Sequence, residues 1–322
     1  MTAPAPETPQ GASLQQAATP AATAAGQSRI TGAVWGALAI VYVVWGSTYL
    51  AIRIAVETMP PFLSAATRFI AAGLLLAGLV AWRQGPGALR AGPRQLASAA
   101  LVGLLLLLGG NGLVVLAETS VPSGLAALLV AVVPVWVVLL RTATGDRPRA
   151  ATFGGVLLGL AGLLVLTVPG LSGEVKLGGL AAVIGATLMW STGSFFSARI
   201  PMPANPFAAS AYEMVAGGLG CLALGLVRGE QHGLDISAVS TRSWLALAYL
   251  VVFGSLVAFT AYAWLLHSAP LSLVATYAYV NPVVAVFLGW LVLAEPLSWP
   301  IILGGAIVVA GVGVVVSTER RH

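Results

Sequence analysis

An all-α integral membrane protein of ten transmembrane helices, laid out as two inverted five-helix repeats, is the fold this sequence predicts. Three observations predict it. Of the 322 residues, 58% are hydrophobic and 8% charged, against roughly 25% charged in a soluble domain, so lipid must solvate most of the surface. Ten mostly apolar runs each approach the roughly 20 residues that span a bilayer. Motifs of the first half return in the second at offsets of 145 to 150 residues.

Residues 1–28 stand apart. Ala, Pro, Thr, Gln and Gly dominate them. They have neither the basic start nor the apolar centre of a signal peptide, and they read as a disordered cytoplasmic tail. The first copy covers residues 29–170, with helices at about Thr31–Arg53, Pro61–Trp82, Arg94–Ala117, Ser123–Thr142 and Ala151–Val168. The second covers 171–318, with helices at about Gly178–Ala198, Pro206–Val227, Ser243–Leu266, Leu271–Leu293 and Trp299–Ser317. Residues 319–322 form a cytoplasmic end. In lipid each backbone polar group must bond within its own segment, which makes these runs helices. Only the connector Arg228–Arg242 is long, and it is too short to be a domain.

Basic residues set the orientation. With a cytoplasmic N-terminus, Arg29, Arg83, Arg90, Arg94, Arg141, Arg147, Arg149, Arg199, Arg320 and Arg321 lie inside. Arg53, Lys176, Arg228 and Arg242 lie outside. Ten against four is the bias expected of cytoplasmic loops. The ratio of 14 arginines to one lysine points to a GC-rich bacterial genome, and so to a bacterial inner membrane. The net charge of +5 is spread over short connectors and gives no sign of nucleic-acid binding.

The repeat is legible residue by residue. Pro61-Phe62-Leu63-Ser64-Ala65-Ala66-Thr67-Arg68 is echoed by Pro206-Phe207-Ala208-Ala209-Ser210-Ala211-Tyr212-Glu213. Pro122 and Pro134 return as Pro270 and Pro282, and Gly154-Gly155 as Gly304-Gly305. Trp45-Gly46-Ser47-Thr48 matches Trp190-Ser191-Thr192-Gly193 in part. Five spans per copy force opposite orientations, a plan of secondary transporters whose sites lie near the midplane where the repeats meet. Interrupted helices mark such sites. Pro134, Pro282 behind Asn281, and Gly109, Gly110 and Gly112 are the candidates for helix breaks or gates. The glycine group has no close copy in the eighth helix.

These stretches resemble a known family. Trp45-Gly46-Ser47-Thr48-Tyr49, then Arg68-Phe69, then Tyr279-Val280-Asn281-Pro282-Val283 followed by Glu295-Pro296 are similar, in order, to the signatures of EamA-type transporters of the drug/metabolite transporter superfamily. The resemblance runs from about Thr31 to Ser317. It implies a ten-helix carrier, in many members an exporter of amino acids, metabolites or drugs. The second copy departs from the first in placing Glu213 where Arg68 would stand.

Arg68 and Glu213 are the ionisable residues farthest from any helix end. Each lies seven residues past a helix-starting proline, about 10 Å deep at 1.5 Å per residue. Intramembrane charge is costly and should face the bundle or a cavity. Arg68 has the donor fork to hold the carboxylate or phosphate of an anionic ligand. Glu213 is a candidate to take up a coupling proton. A bland reading makes each a structural anchor bonded to hydroxyls such as Ser64 and Ser210. Trp45, Ser47, Thr48, Tyr49, Asn111, Trp190, Ser191, Tyr212, Tyr277 and Asn281 supply apolar walls with a few placed polar groups, as a small-molecule site needs. The competing reading is helix glue and interfacial aromatics. The small-residue rows Gly155 to Gly159 and Ala306 to Ala310 suit close packing, between the copies or across a homodimer. Glu118 and Glu295, near outer helix ends, read as solvated loop charges.

Enzymatic readings find no footing. The sequence has no HExxH, GxSxG or GxxxxGK[ST] motif. Cys221 is its single cysteine, and His232, His267 and His322 are far apart. No metal or cofactor is expected. The partners expected are the bilayer, a small-molecule substrate and a proton. The sequence therefore predicts a secondary carrier with alternating access; an uncoupled facilitator or channel-like pore is the alternative.

Overall fold

The computed structural model describes residues 32–145, 150–166, 175–197, 199–269, 274 and 277–319; the predicted tail and residues 320–322 lie outside these. The described residues are all-helical. Helix α1 is Gly32–Ala55, α2 Pro61–Gln84, and α3 Pro93–Ala117. Helix α4 comes in two pieces, Ser123–Val130 and Val133–Ala143. Then follow α5 Ala150–Leu166, α6 Leu177–Ser197 and α7 Pro206–Val227. Helix α8 runs through Thr241–Tyr249, Leu250–Val257 and Ala258–Ser268, followed by α9 Tyr277–Leu293 and α10 Trp299–Glu319. Seven helices, α1 to α4 and α6 to α8, are long and apolar enough to cross a membrane. Ala150–Gly162, Val280–Leu293 and Trp299–Gly311 are shorter apolar helices. The protein is a multi-pass membrane protein, with large apolar side chains such as Val43, Leu74, Leu164 and Leu245 facing outward.

Local chemistry explains the helix starts. Pro61 and Pro206 open α2 and α7, where a missing N–H costs nothing. Asn205 caps α7 by accepting from the Phe207 and Ala208 amides at 3.0 and 3.4 Å. Glu230, 168 residues downstream, caps α2 by accepting from Phe62 N and Leu63 N, each at 3.0 Å.

The expected interruptions take different forms. Helix α4 does break, but at residues 131–132, so Pro134 lies in the first turn of the second piece, where it is tolerated. Pro282 interrupts nothing: α9 is continuous through it. Gly109, Gly110 and Gly112 do not break α3 either. They sit in a wide-turned π-helical stretch, Leu104–Gly112, that joins two α-helical pieces. Helix α8 has the same feature over Leu250–Val257. The eighth helix thus carries the conformational counterpart whose sequence trace is missing.

The contacts between the halves come in exchange-related pairs. Helix α2 packs on α7, and α5 on α10. The contact of α1 with α9 is matched by α6 with α4, that of α1 with α8 by α6 with α3, and that of α2 with α8 by α7 with α3. Small residues permit these approaches. A Cβ on Gly217 would stand 2.7 Å from Gly103 O, between α7 and α3. One on Gly311 would stand 2.8 Å from Gly155 O and 2.9 Å from Gly159 Cα. The Gly155 to Gly159 row is therefore consumed inside the chain, between α5 and α10, whereas Ala306 and Ala310 are exposed.

Candidate functional site

Where α1, α2, α3, α4, α6 and α9 converge, a cavity of about 60 Å³ remains, several times the roughly 10–15 Å³ that one water needs. Trp45, Thr48, Tyr49, Arg68, Gly110, Asn111, Trp190, Tyr277 and Asn281 line it, so residues far apart in sequence meet at one place. Val114, Val130, Val133 and Ala186 complete its apolar wall, and Thr187 adds a hydroxyl.

Arg68 is the charge of the cavity and is 4% exposed. Its Nε donates to Ser255 Oγ at 2.9 Å, and its Nη1 donates to Asn111 Oδ1 at 3.3 Å. Its guanidinium carbon lies 4.8 Å from the centre of the Phe69 ring. Both hydrogen-bond acceptors come from the π-helical stretches of α3 and α8, one from each half. Neither Ser64 nor Glu213 anchors it: Ser64 Oγ donates to Pro61 O instead. Among the described residues the guanidinium is held by neutral oxygens only, which leaves its charge without a partner in contact and available to an anion.

An aromatic cage forms another wall. The Trp45 ring stands 5.7 Å from Trp190, 5.3 Å from Tyr277 and 4.9 Å from Tyr262, the first two edge-on. Such spacings and tilts are those that ring quadrupoles favour. Trp45 Nε1 donates to Gly254 O at 3.2 Å and ties α1 to the π stretch of α8. Asn281, with its amide nitrogen turned to two carbonyls, donates to Tyr42 O at 3.1 Å and Tyr277 O at 3.2 Å. Trp190 Nε1 is buried with no protein partner among the described residues.

Other candidates lie elsewhere. Ser47 pairs with the Tyr249 hydroxyl at 2.6 Å, between α1 and α8. Ser191 donates to Val133 O at 3.1 Å, beside the break in α4. Tyr212 donates to Leu89 O in the connector after α2. Gly109 faces Met189, and Gly112 faces Phe62 and Cys221. Pro282 lines an outward apolar groove between α9 and α10. Only the backbone of Pro134 is described. Glu213 is buried but lies outside the cavity lining.

Two acidic residues overturn their reading as solvated loop charges. Glu118 is completely buried. Glu295 caps the second helix start of this kind: its oxygens accept from Ser123 N at 2.8 Å, Ser123 Oγ at 2.9 Å and Gly124 N at 3.2 Å. Both lie next to helix ends, where sequence position alone suggests water. Ser255 and Tyr262 were also missed. Ser255 reaches Arg68 across 187 residues of sequence, a distance over which no local pattern speaks.

Comparison with known proteins places this geometry. A profile of the EamA-like transporter family matches residues 31–168 and again 177–317. An uncharacterized inner membrane transporter of Escherichia coli (strain K12), YedA, is 41% identical over 82% of this chain and 84% of its own. A chloroplastic WAT1-related protein of Arabidopsis thaliana is 26% identical over 86% of this chain and 68% of its own. A crystal structure 22% identical shares the fold, with a TM-score of 0.62 over 90% of this chain and 98% of that one. With both halves matched by the profile and a bacterial relative at this identity, the chain belongs to the EamA-like transporter family.

Proposed function

We propose that this protein is a secondary carrier that moves a small organic solute bearing an anionic group across the bacterial inner membrane by alternating access. The observation that carries the reading is the cavity, in which Arg68 stands without a counter-ion in contact, opposite a wall of Trp45, Trp190 and Tyr277. Arg68 takes the carboxylate or phosphate of the solute, and the rings take its apolar body. A single pocket of about 60 Å³ favours a carrier over an open pore, which would need a continuous file of groups through the bilayer.

The architecture we propose is ten spans in two inverted repeats with both termini cytoplasmic. The exchange-related helix contacts, the two family matches and the bias of basic residues support it. The inner-membrane location follows the name of the bacterial relative. Export is the direction the family resemblance favours, and proton coupling the energy source.

The test compares solutes released by cells that overproduce the wild type, Arg68→Ala, or neither. A solute released only by the wild type establishes export and places Arg68 in the path. Equal release by wild type and variant removes Arg68 from the site. Unitary currents in bilayer recordings would replace the carrier with a channel.

A further inference from the structure

Helix α3 carries the cavity wall one turn past the cavity. Asn111 and Val114 line the space, and Glu118 follows at the next step of the same face, since positions three, four and seven apart share one side of a helix. Glu118 is 0% exposed, and neither of its carboxylate oxygens has a hydrogen-bond partner among the described residues. Several nearby donors bond elsewhere. Arg53 donates to the backbone carbonyl of Glu118 rather than to its carboxylate. Ser123 and Gly124 are taken by Glu295, and the Nε and Nη1 of Arg68 by Ser255 and Asn111. The charged and titratable groups that act on Glu118 are Glu295, which follows α9; Arg53 and Tyr49 on α1; and Arg68 on α2. A bare carboxylate in so dry a place, beside a second carboxylate, is the least stable way to fill it. A proton on Glu118 removes the charge.

We infer that Glu118 is a proton-binding site at the end of the solute cavity. Deprotonated, it competes with the solute's anionic group for Arg68. Protonated, it leaves Arg68 to the solute. Binding of proton and solute are then linked through one guanidinium, and each strengthens the other. This linkage rests on the carrier reading above; the proton site itself does not. Neither Glu118 nor Glu213 is in the cavity lining itself, but Glu118 lies one turn beyond Val114 on the cavity face of α3 with Arg53 and Arg68 acting on it, whereas no cation acts on Glu213 among the described residues.

The experiment needs no known solute. Full-length protein in lipid nanodiscs is stepped in pH and followed by infrared difference spectroscopy, for wild type, Glu118→Gln, Glu213→Gln and Glu295→Gln. A parallel series replaces sodium with choline. The expected result is a carboxylic-acid carbonyl band that comes and goes with pH in the wild type, is abolished in Glu118→Gln, and persists in the other two, with or without sodium. Survival of the band in Glu118→Gln overturns the proposal. So does a response to sodium in place of pH, which would make this a cation site. Glu118→Asp guards against misfolding, since it should shift the band rather than remove it; an unshifted band counts against Glu118. A band lost in Glu118→Gln, with no solute released by wild-type cells, leaves the proton site standing and overturns the carrier reading instead.

Discussion

Arg68 and Glu213 occupy matching positions in the two halves, each seven residues past the proline that opens its helix, yet their surroundings differ in kind. Around Arg68 the neighbouring helices present oxygens and a ring: Ser255, Asn111 and Phe69. At Glu213 the closest approach is backbone to backbone. Gly103 of α3 packs directly on the Glu213 main chain, and Gly217 one turn on completes the contact. One side chain is held by protein oxygens at a cavity; the other stands off the cavity lining, on a stretch of helix whose main chain is closely packed. A repeat supplies equivalent positions. Their chemistry depends on which neighbours have side chains long enough to reach them.

Substitutions can break or sharpen that contrast. The largest effect is expected from Arg68→Ala, which removes two hydrogen bonds to a charged group and the anion partner. At about 1.5–3 kcal/mol each, solute release should fall by more than a hundredfold, while the protein still reaches the membrane. Arg68→Lys keeps the charge but loses the planar fork, and should weaken apparent solute affinity about tenfold. On the other side of the contrast, Gly103→Ala drives a methyl into the Glu213 backbone. It should cost about 1–3 kcal/mol of stability, read as a lower melting temperature in detergent, with substrate affinity unchanged in whatever protein folds. Gly254→Ala tests the junction: its Cβ would lie 3.0 Å from both Arg68 Nη2 and Thr48 Cγ2. A several-fold loss of affinity with normal melting is expected there. The smallest effect belongs to Glu213→Gln. The isosteric amide should leave release intact and melting unchanged or slightly higher, because burying a carboxylate costs more than burying its amide. If it fails to transport as Arg68→Ala does, the two sites are not different in kind.

Much of this molecule is legible in its sequence because membrane segments announce themselves by length and hydropathy. Pro61 and Pro206 mark the helix starts to the residue, since proline is welcome at a helix start and almost nowhere else in a helix. The cavity residues were found because polar or ionisable side chains inside apolar runs need a reason to be there. What stayed hidden depends on distance or on winding. Ser255 is one hydroxyl in an apolar helix until α8 is laid against α2. The π-helical stretches have no composition of their own: Leu104–Gly112 and Leu250–Val257 share almost no residues in register. Glu118 looked wet because it follows a helix end, and a chain position cannot show that Arg53 reaches over to its backbone and that it is buried.

The two π-helical stretches carry one more consequence. A π turn holds more residues than an α turn, so each stretch stores slack. Returning one residue of slack to α geometry turns everything beyond it by about 100° around the axis. In α3 that step exchanges Asn111 for Gly110 or Gly112, and in α8 it exchanges Ser255 for Gly254 or Leu256. Each replacement lacks a side-chain acceptor. Arg68 is thus held between two helices that each offer it one polar side chain flanked by blanks: such a step in one helix would leave it one acceptor, and in both would leave it neither.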